Sequence, residues 1–172
     1  AELGTLTTHF DNLGSRGRVI FVSGEAGIGK TRVVEQLARY AQESGGRVIR
    51  GGCFFEHDMG PYMPFLDAIG SLIGEGRNSL TVEERETLCR ALCEQAPELA
   101  ELAKDQSTTA KFRAGFAAAF GTEDNPKAAR QRLCEAIFDL LAGAAAMRPL
   151  VLVLEDVHWA DSASWKLALA AH

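Results

Sequence analysis

Gly24-Glu25-Ala26-Gly27-Ile28-Gly29-Lys30-Thr31 fits the pattern G-x-x-x-x-G-K-[ST], and its surroundings decide the fold class. The apolar run Val19-Ile20-Phe21-Val22 precedes it, and an amphipathic helical segment starts near Lys30. That strand-loop-helix order is the context a phosphate-binding loop requires. A triphosphate carries several negative charges, so its pocket needs backbone N–H groups at close range. Gly24, Gly27 and Gly29 permit this by having no Cβ. The helix N-terminus adds unpaired donors and the positive end of a dipole. Lys30 is expected to reach the β- and γ-phosphates as a point charge, and the Thr31 hydroxyl to take one coordination site on Mg²⁺.

Working outward, residues 18 to 23 read as a first strand, a continuous apolar run of the kind found in parallel strands covered on both faces. Upstream, Leu3, Leu6, Phe10 and Leu13 recur at spacings of three and four, predicting a short amphipathic helix ended by Gly14-Ser15-Arg16-Gly17. Downstream, Val33, Val34, Leu37, Ala38 and Ala41 mark one face of a helix from Lys30 to about Ser44, with Gly45-Gly46 as its stop. A second strand is expected at Arg47 to Gly51, and then a loop over residues 52 to 63. Phe54, Phe55, Tyr62 and Met63 make that loop aromatic. Packing onto the core is the simpler reading of these four, and stacking on an adenine ring the alternative.

Pro64 to Ile73 reads as a helix, and Thr81-Val82-Glu83-Glu84 is a capping box that starts another, with Leu88, Cys89, Leu92 and Cys93 as its apolar face. Phe112, Phe116 and Phe120 form a stripe with the spacing of a core-facing helix. Asn125-Pro126 supplies a cap and first-turn proline for a long helix whose buried face is Leu133, Ala136, Ile137, Leu140, Leu141 and Ala144. Arg148-Pro149 ends it. Leu150-Val151-Leu152-Val153-Leu154-Glu155-Asp156 then gives five apolar residues followed by two carboxylates, the form of a buried parallel strand ending at a ligand crevice.

The 172 residues suffice for one domain with a sizeable core, and 47% hydrophobic against 24% charged residues is the mix of a globular protein. A net charge of -5 argues against nucleic-acid binding by the chain as a whole. No apolar run approaches the length of a membrane span, and Ala1-Glu2-Leu3-Gly4 lacks a signal peptide's basic start, so a cytoplasmic location without membrane contact is expected. The four cysteines do not form a secreted-type framework and read as reduced. Cys53, His57, Cys89 and Cys93 could be drawn together as a metal site, but Cys89 and Cys93 share a helical face and read as core.

Together, Gly24 to Thr31 with Arg32, Gly52-Cys53 through Pro61-Tyr62-Met63-Pro64-Phe65, and Leu152-Val153-Leu154-Glu155-Asp156-Val157-His158-Trp159-Ala160-Asp161 resemble the ATPase domain of STAND-type signalling proteins, within the AAA+ and related group. Large LuxR-type bacterial transcriptional regulators are similar, as are the ATPase modules attached to some adenylate cyclases and protein kinases. The resemblance implies a three-layer α/β phosphate-loop NTPase with a parallel sheet, incomplete on its C-terminal side. It also implies three parts: a Walker A half at 1–55, a mainly helical insertion at 56–148 between the second strand and the Walker B strand, and that strand with the following helix at 149–172. ATP and Mg²⁺ are the implied cofactors. Glu25, Ala26, Ile28 and Arg32 join the glycines, Lys30 and Thr31 in the nucleotide-binding set. Lys30, Glu155 and Asp156 are the implied catalytic set, with Glu155 and Thr31 on the metal and Asp156 activating water; the Glu-Asp order departs from the commoner pattern, in which Asp comes first.

The resemblance further implies a slowly hydrolysing switch between ADP- and ATP-bound forms, biased by an inducer and prone to nucleotide-dependent self-association, with DNA contacted only through another domain. A small-molecule kinase built on the same loop is the alternative from another class. In the related folds a sensor strand lies between the first strand and the Walker B strand. It is expected beyond His172, and its absence would leave this piece poorly stable and weakly hydrolytic. His158, Trp159 and Asp161 would follow the catalytic strand, His158 capping or packing with γ-phosphate sensing as the alternative, Trp159 packing, and Asp161 as N-cap of a helix containing Trp165, Leu167 and Leu169.

Overall fold

Two parallel strands carry the architecture: β1 (Arg47–Gly52) and β2 (Leu150–Glu155) pair in register from Arg47 opposite Leu150 to Gly52 opposite Glu155. The computed structural model describes residues 2–13, 17–53, 62–73, 79–92 and 126–170. Within them the chain runs α1 (Glu2–Asp11), α2 (Lys30–Glu43), β1, α3 (Met63–Ile73), α4 (Val82–Leu92), α5 (Pro126–Met147), β2, a 3₁₀ turn (Val157–Trp159) and α6 (Ser162–Ala170). Parallel strands need a long crossover, and the segment carrying α3, α4 and α5 provides it.

Side chains alternate across a strand, and the alternation here sorts the apolar residues into two clusters. Val48, Val151 and Val153 meet Ala38 and Ala41 of α2 on one face. Ile49, Leu150, Leu152 and Leu154 meet α3 and α5 on the other, where Phe65, Ile69, Leu72, Ile137 and Leu140 are fully buried. The described fold is therefore a helix layer, a small parallel sheet and a second helix layer. The α5 face predicted from periodicity, Leu133 to Ala144, lies in this larger cluster. Phe112, Phe116, Phe120, Phe54, Phe55, His57 and Cys93 fall outside the described residues. Tyr62 is buried in the larger cluster, with Met63 packed against it, which agrees with the core-pinning reading of those two residues.

The first predicted strand is corrected. Residues 17–25 have no strand pairing, and Ile20, Phe21 and Val22 are 43%, 54% and 41% exposed rather than covered. A strand exists only where a neighbour completes its ladder, and among the described residues the sheet consists of β1 and β2 alone, with this segment laid along neither free edge. β2 is also less covered than its unbroken apolar sequence implies, since Leu150 through Leu154 are all half-buried. α1 stops at Asp11, before the expected glycine stop, and leaves Leu13 exposed. There Asp11 accepts a hydrogen bond from Tyr40 Oη and Phe10 meets the Tyr40 ring edge-on, tying α1 to α2.

Two contacts fix the helical layer to the sheet. Thr81 and Glu84 exchange the bonds of a capping box, Thr81 N to Glu84 Oε2 at 2.8 Å and Glu84 N to Thr81 Oγ1 at 3.2 Å. Glu84 also receives Arg47 at 2.6 Å and Arg148 at 2.6 and 2.9 Å, so one carboxylate joins the start of α4 to the entrances of both strands. Burial alone would raise the Glu84 pKa. The Thr81 amide and the two guanidiniums outweigh it and hold the pKa at about 2. At Gly51, a Cβ would lie 1.8 Å from the Pro64 carbonyl oxygen, so the absence of a side chain is what lets α3 sit on β1.

Candidate functional site

The loop between residue 24 and α2 is curled by glycine conformations that other residues rarely adopt: Gly27 has φ of 79° and Gly29, the N-cap of α2, has φ of 100°. Lys30 opens the helix, and its Nζ donates to the carbonyl oxygens of Gly24 at 2.8 Å and Glu25 at 2.9 Å. The lysine thus holds the curl shut around its own ammonium. Within the loop, Ile28 N donates to Glu25 O at 3.4 Å, and among the described residues the other amides from 24 to 27 and at 29 have no such bond. Nothing lies within 4 Å of where a Cβ would stand at Gly27 or Gly29. Open amides, a helix N-terminus and a lysine suit a phosphate chain. Glu25, Ala26, Ile28, Thr31 and Arg32 are all exposed around this loop.

The end of β2 faces the same layer. Val151 and Val153 point to α2, so the period of two puts Glu155 on that face as well. The return Ser44-Gly45-Gly46 from α2 into β1 is short, and Gly46 N bonds Ala41 O at 2.8 Å, so the helix runs back over the strands. Its 14 residues span about 21 Å. The six residues of β2 span about 20 Å. The N-terminus of α2 is thereby directed towards the end of the sheet where Glu155 lies. Asp156 leaves the strand in the left-handed region, φ 53° and ψ 37°, a conformation Asp tolerates better than most residues. The change of direction removes its carboxylate from the strand's alternation, and the turn closes with Trp159 N on Asp156 O at 2.9 Å.

Glu155 is not alone on its face. Arg50 of β1, two residues beyond Val48 and so on the same side of the sheet, places Nη1 3.0 Å from Glu155 Oε1. Sequence reading passed over this arginine. The signal that could have found it is a cation at the α2-facing position of the strand next to the one that carries the acid pair.

Asp161 caps α6 as expected, accepting the amides of Ala163 at 2.8 Å and Ser164 at 2.9 Å. Buried Ser164 also accepts the Tyr62 amide at 3.1 Å, which links α6 to the start of α3. Burial would raise the Asp161 pKa, but the hydroxyl and amide bonds it accepts lower it. Cys53, just past β1, is a buried free thiol whose pKa is raised by burial and then by the charges of Asp161 and Asp156. The expectation for His158 is capping or packing and for Trp159 packing. Both are instead exposed on the 3₁₀ turn, their rings 4.9 Å apart. Trp165 stacks on Phe21, ring centroids 5.6 Å apart, so α6 touches the segment that enters the phosphate loop.

The AAA ATPase domain family matches residues 1–172. The chain belongs to the AAA ATPase domain family. An uncharacterized protein of Rhizobium meliloti (strain 1021) is 26% identical over an alignment that covers 95% of this chain but 16% of that protein. The chain therefore spans about a sixth of the length of the relative it matches. No solved structure matches it. Membership in an ATPase family implies binding and hydrolysis of ATP, typically with Mg²⁺. By their chemistry the loop amides and Lys30 suit phosphate oxygens, and oxygen donors such as the Thr31 hydroxyl and the Glu155 carboxylate suit a hard divalent cation. No helix among the described residues is long and apolar enough to cross a membrane.

Proposed function

We propose that this chain is the nucleotide-binding part of a multidomain bacterial signalling or transcriptional regulator, a switch that takes up Mg-ATP and hydrolyses it slowly in the cytoplasm. The observation that carries the reading is the lysine-closed loop at the head of α2 on the sheet face that also bears Glu155. The small share of its relative that the chain covers supports a module within a larger protein. In this reading Lys30 leaves the Gly24 and Glu25 carbonyls for the β- and γ-phosphates, and the opened loop presents its amides to the same anion. Thr31 and Glu155 hold Mg²⁺, which when bound neutralises phosphate charge. Asp156, turned out of the strand, orients the attacking water and accepts its proton. An inducer and a DNA-contacting output then act through other domains, the nucleotide state setting which arrangement is favoured.

The test is calorimetric titration of the full chain with Mg-ATP and with Mg-ADP, wild type against Lys30→Ala. Binding of both nucleotides at about micromolar Kd, weakened by at least about a hundredfold in Lys30→Ala, is expected, since one charge-assisted contact to phosphate is worth about 3 kcal/mol. A folded wild type that binds neither nucleotide would sink the reading.

A further inference from the structure

We infer that Arg50 is a positioning residue for the metal-side carboxylate, and that its pairing with Glu155 sets how strongly nucleotide binding depends on Mg²⁺. The inference rests on the nucleotide reading above and deepens it. Its observations are the 3.0 Å contact between Arg50 Nη1 and Glu155 Oε1, the position of both residues on the α2 face, and the exposure of their side chains, 40% and 47%.

Charge supplies the argument. Glu155 beside a phosphate site repels the phosphates unless a cation stands with it. Arg50 is that cation on the protein, fixed by the strand pairing that sets Gly52 opposite Glu155 and Arg50 opposite Val153. A divalent ion arriving with the nucleotide is a second cation for the same carboxylate, and the two cations repel each other. Arg50 therefore favours nucleotide that arrives without metal and opposes the metal's share of binding. The guanidinium holds the carboxylate by a single hydrogen bond, and its exposure lets it swing into water when the metal takes Glu155. An arginine serving only to stitch two strands together would influence both forms of the nucleotide equally.

The quantity to measure is the ratio of the ATP Kd in EDTA to the ATP Kd in saturating Mg²⁺, by calorimetry on the full chain. Arg50→Gln is expected to raise that ratio about fivefold, the upper range for a solvent-exposed ion pair. Arg50→Lys, which keeps the charge, should stay near wild type. In the Glu155→Gln background, Arg50→Gln should leave the ratio within about twofold, because the carboxylate that couples the two cations is gone. The effect should shrink as ionic strength rises towards 1 M. An unchanged ratio, or equal weakening in both buffers, overturns the inference while leaving the nucleotide reading intact. No binding by wild type in either buffer overturns both.

Discussion

The two faces of the sheet are built by different rules. On the α3–α5 side, apolar side chains from six elements pack on one another and a carboxylate with two arginines closes the edge. On the α2 side, three buried residues suffice for the cluster and the charged positions Arg50 and Glu155 stand open, while the run Ile20-Phe21-Val22 that leads into the loop before α2 also stays in contact with water. The first face holds the fold together. The second carries the residues proposed to bind nucleotide, and it draws little stability from its own packing, as expected of surfaces that must admit a ligand.

The comparison breaks most severely at Gly51. Gly51→Val is expected to prevent α3 from docking, because the first added carbon already collides with the Pro64 backbone and backbone cannot swing aside. A loss of about 4 kcal/mol or more follows, enough to unfold a marginal domain. Circular dichroism and thermal melting of the variant would check it. A melting temperature near wild type would show that the helical face does not depend on this approach.

Glu84 comes next. Its removal strands Arg47, whose side chain is 1% exposed, without its carboxylate, so Glu84→Ala should cost about 3 kcal/mol in urea unfolding. The same group sets an acid limit. Its folded pKa of about 2 lies below the ordinary 4.5, so the unfolded chain binds the proton more readily. The stabilisation is complete above about pH 4.5 and is lost as pH falls from there towards 2. Glu84→Gln should flatten the slope of stability against pH across that window. A slope identical to wild type would assign the acid sensitivity to other carboxylates.

How much of this was legible follows from how local each signal is. The phosphate loop, the Thr81 capping box, the α5 face and the Asp161 cap are written in neighbouring residues, and the structure forms the last three as periodicity and capping chemistry require. The loop lies at the head of α2 as expected, although the nucleotide contacts assigned to its residues remain proposals. What the sequence could not carry is pairing across space. The run at residues 18–23 has strand composition, yet strand composition does not create a neighbour, and no ladder forms there. Gly51 against Pro64, Arg50 against Glu155 and Arg47 with Arg148 on Glu84 join residues from 13 to 105 positions apart. None of these distances has a local period to betray it.

The smallest expected effect sharpens the comparison from its weak side. Phe21 is half exposed and its described ring partner is Trp165. An aromatic pair at such a site contributes about 1 kcal/mol or less. Phe21→Ser should therefore shift the unfolding midpoint little, in contrast to Glu84→Ala, while changing the emission of Trp165, which loses its stacking partner. Trp159 also emits, so the measurement is made in a Trp159→Phe background, where Trp165 is the remaining tryptophan. A large loss of stability would mean that the segment entering the phosphate loop is held by more than one ring contact. That outcome would move residues 18–23 from the open face to the structural one, and the division between a holding face and a binding face would no longer stand.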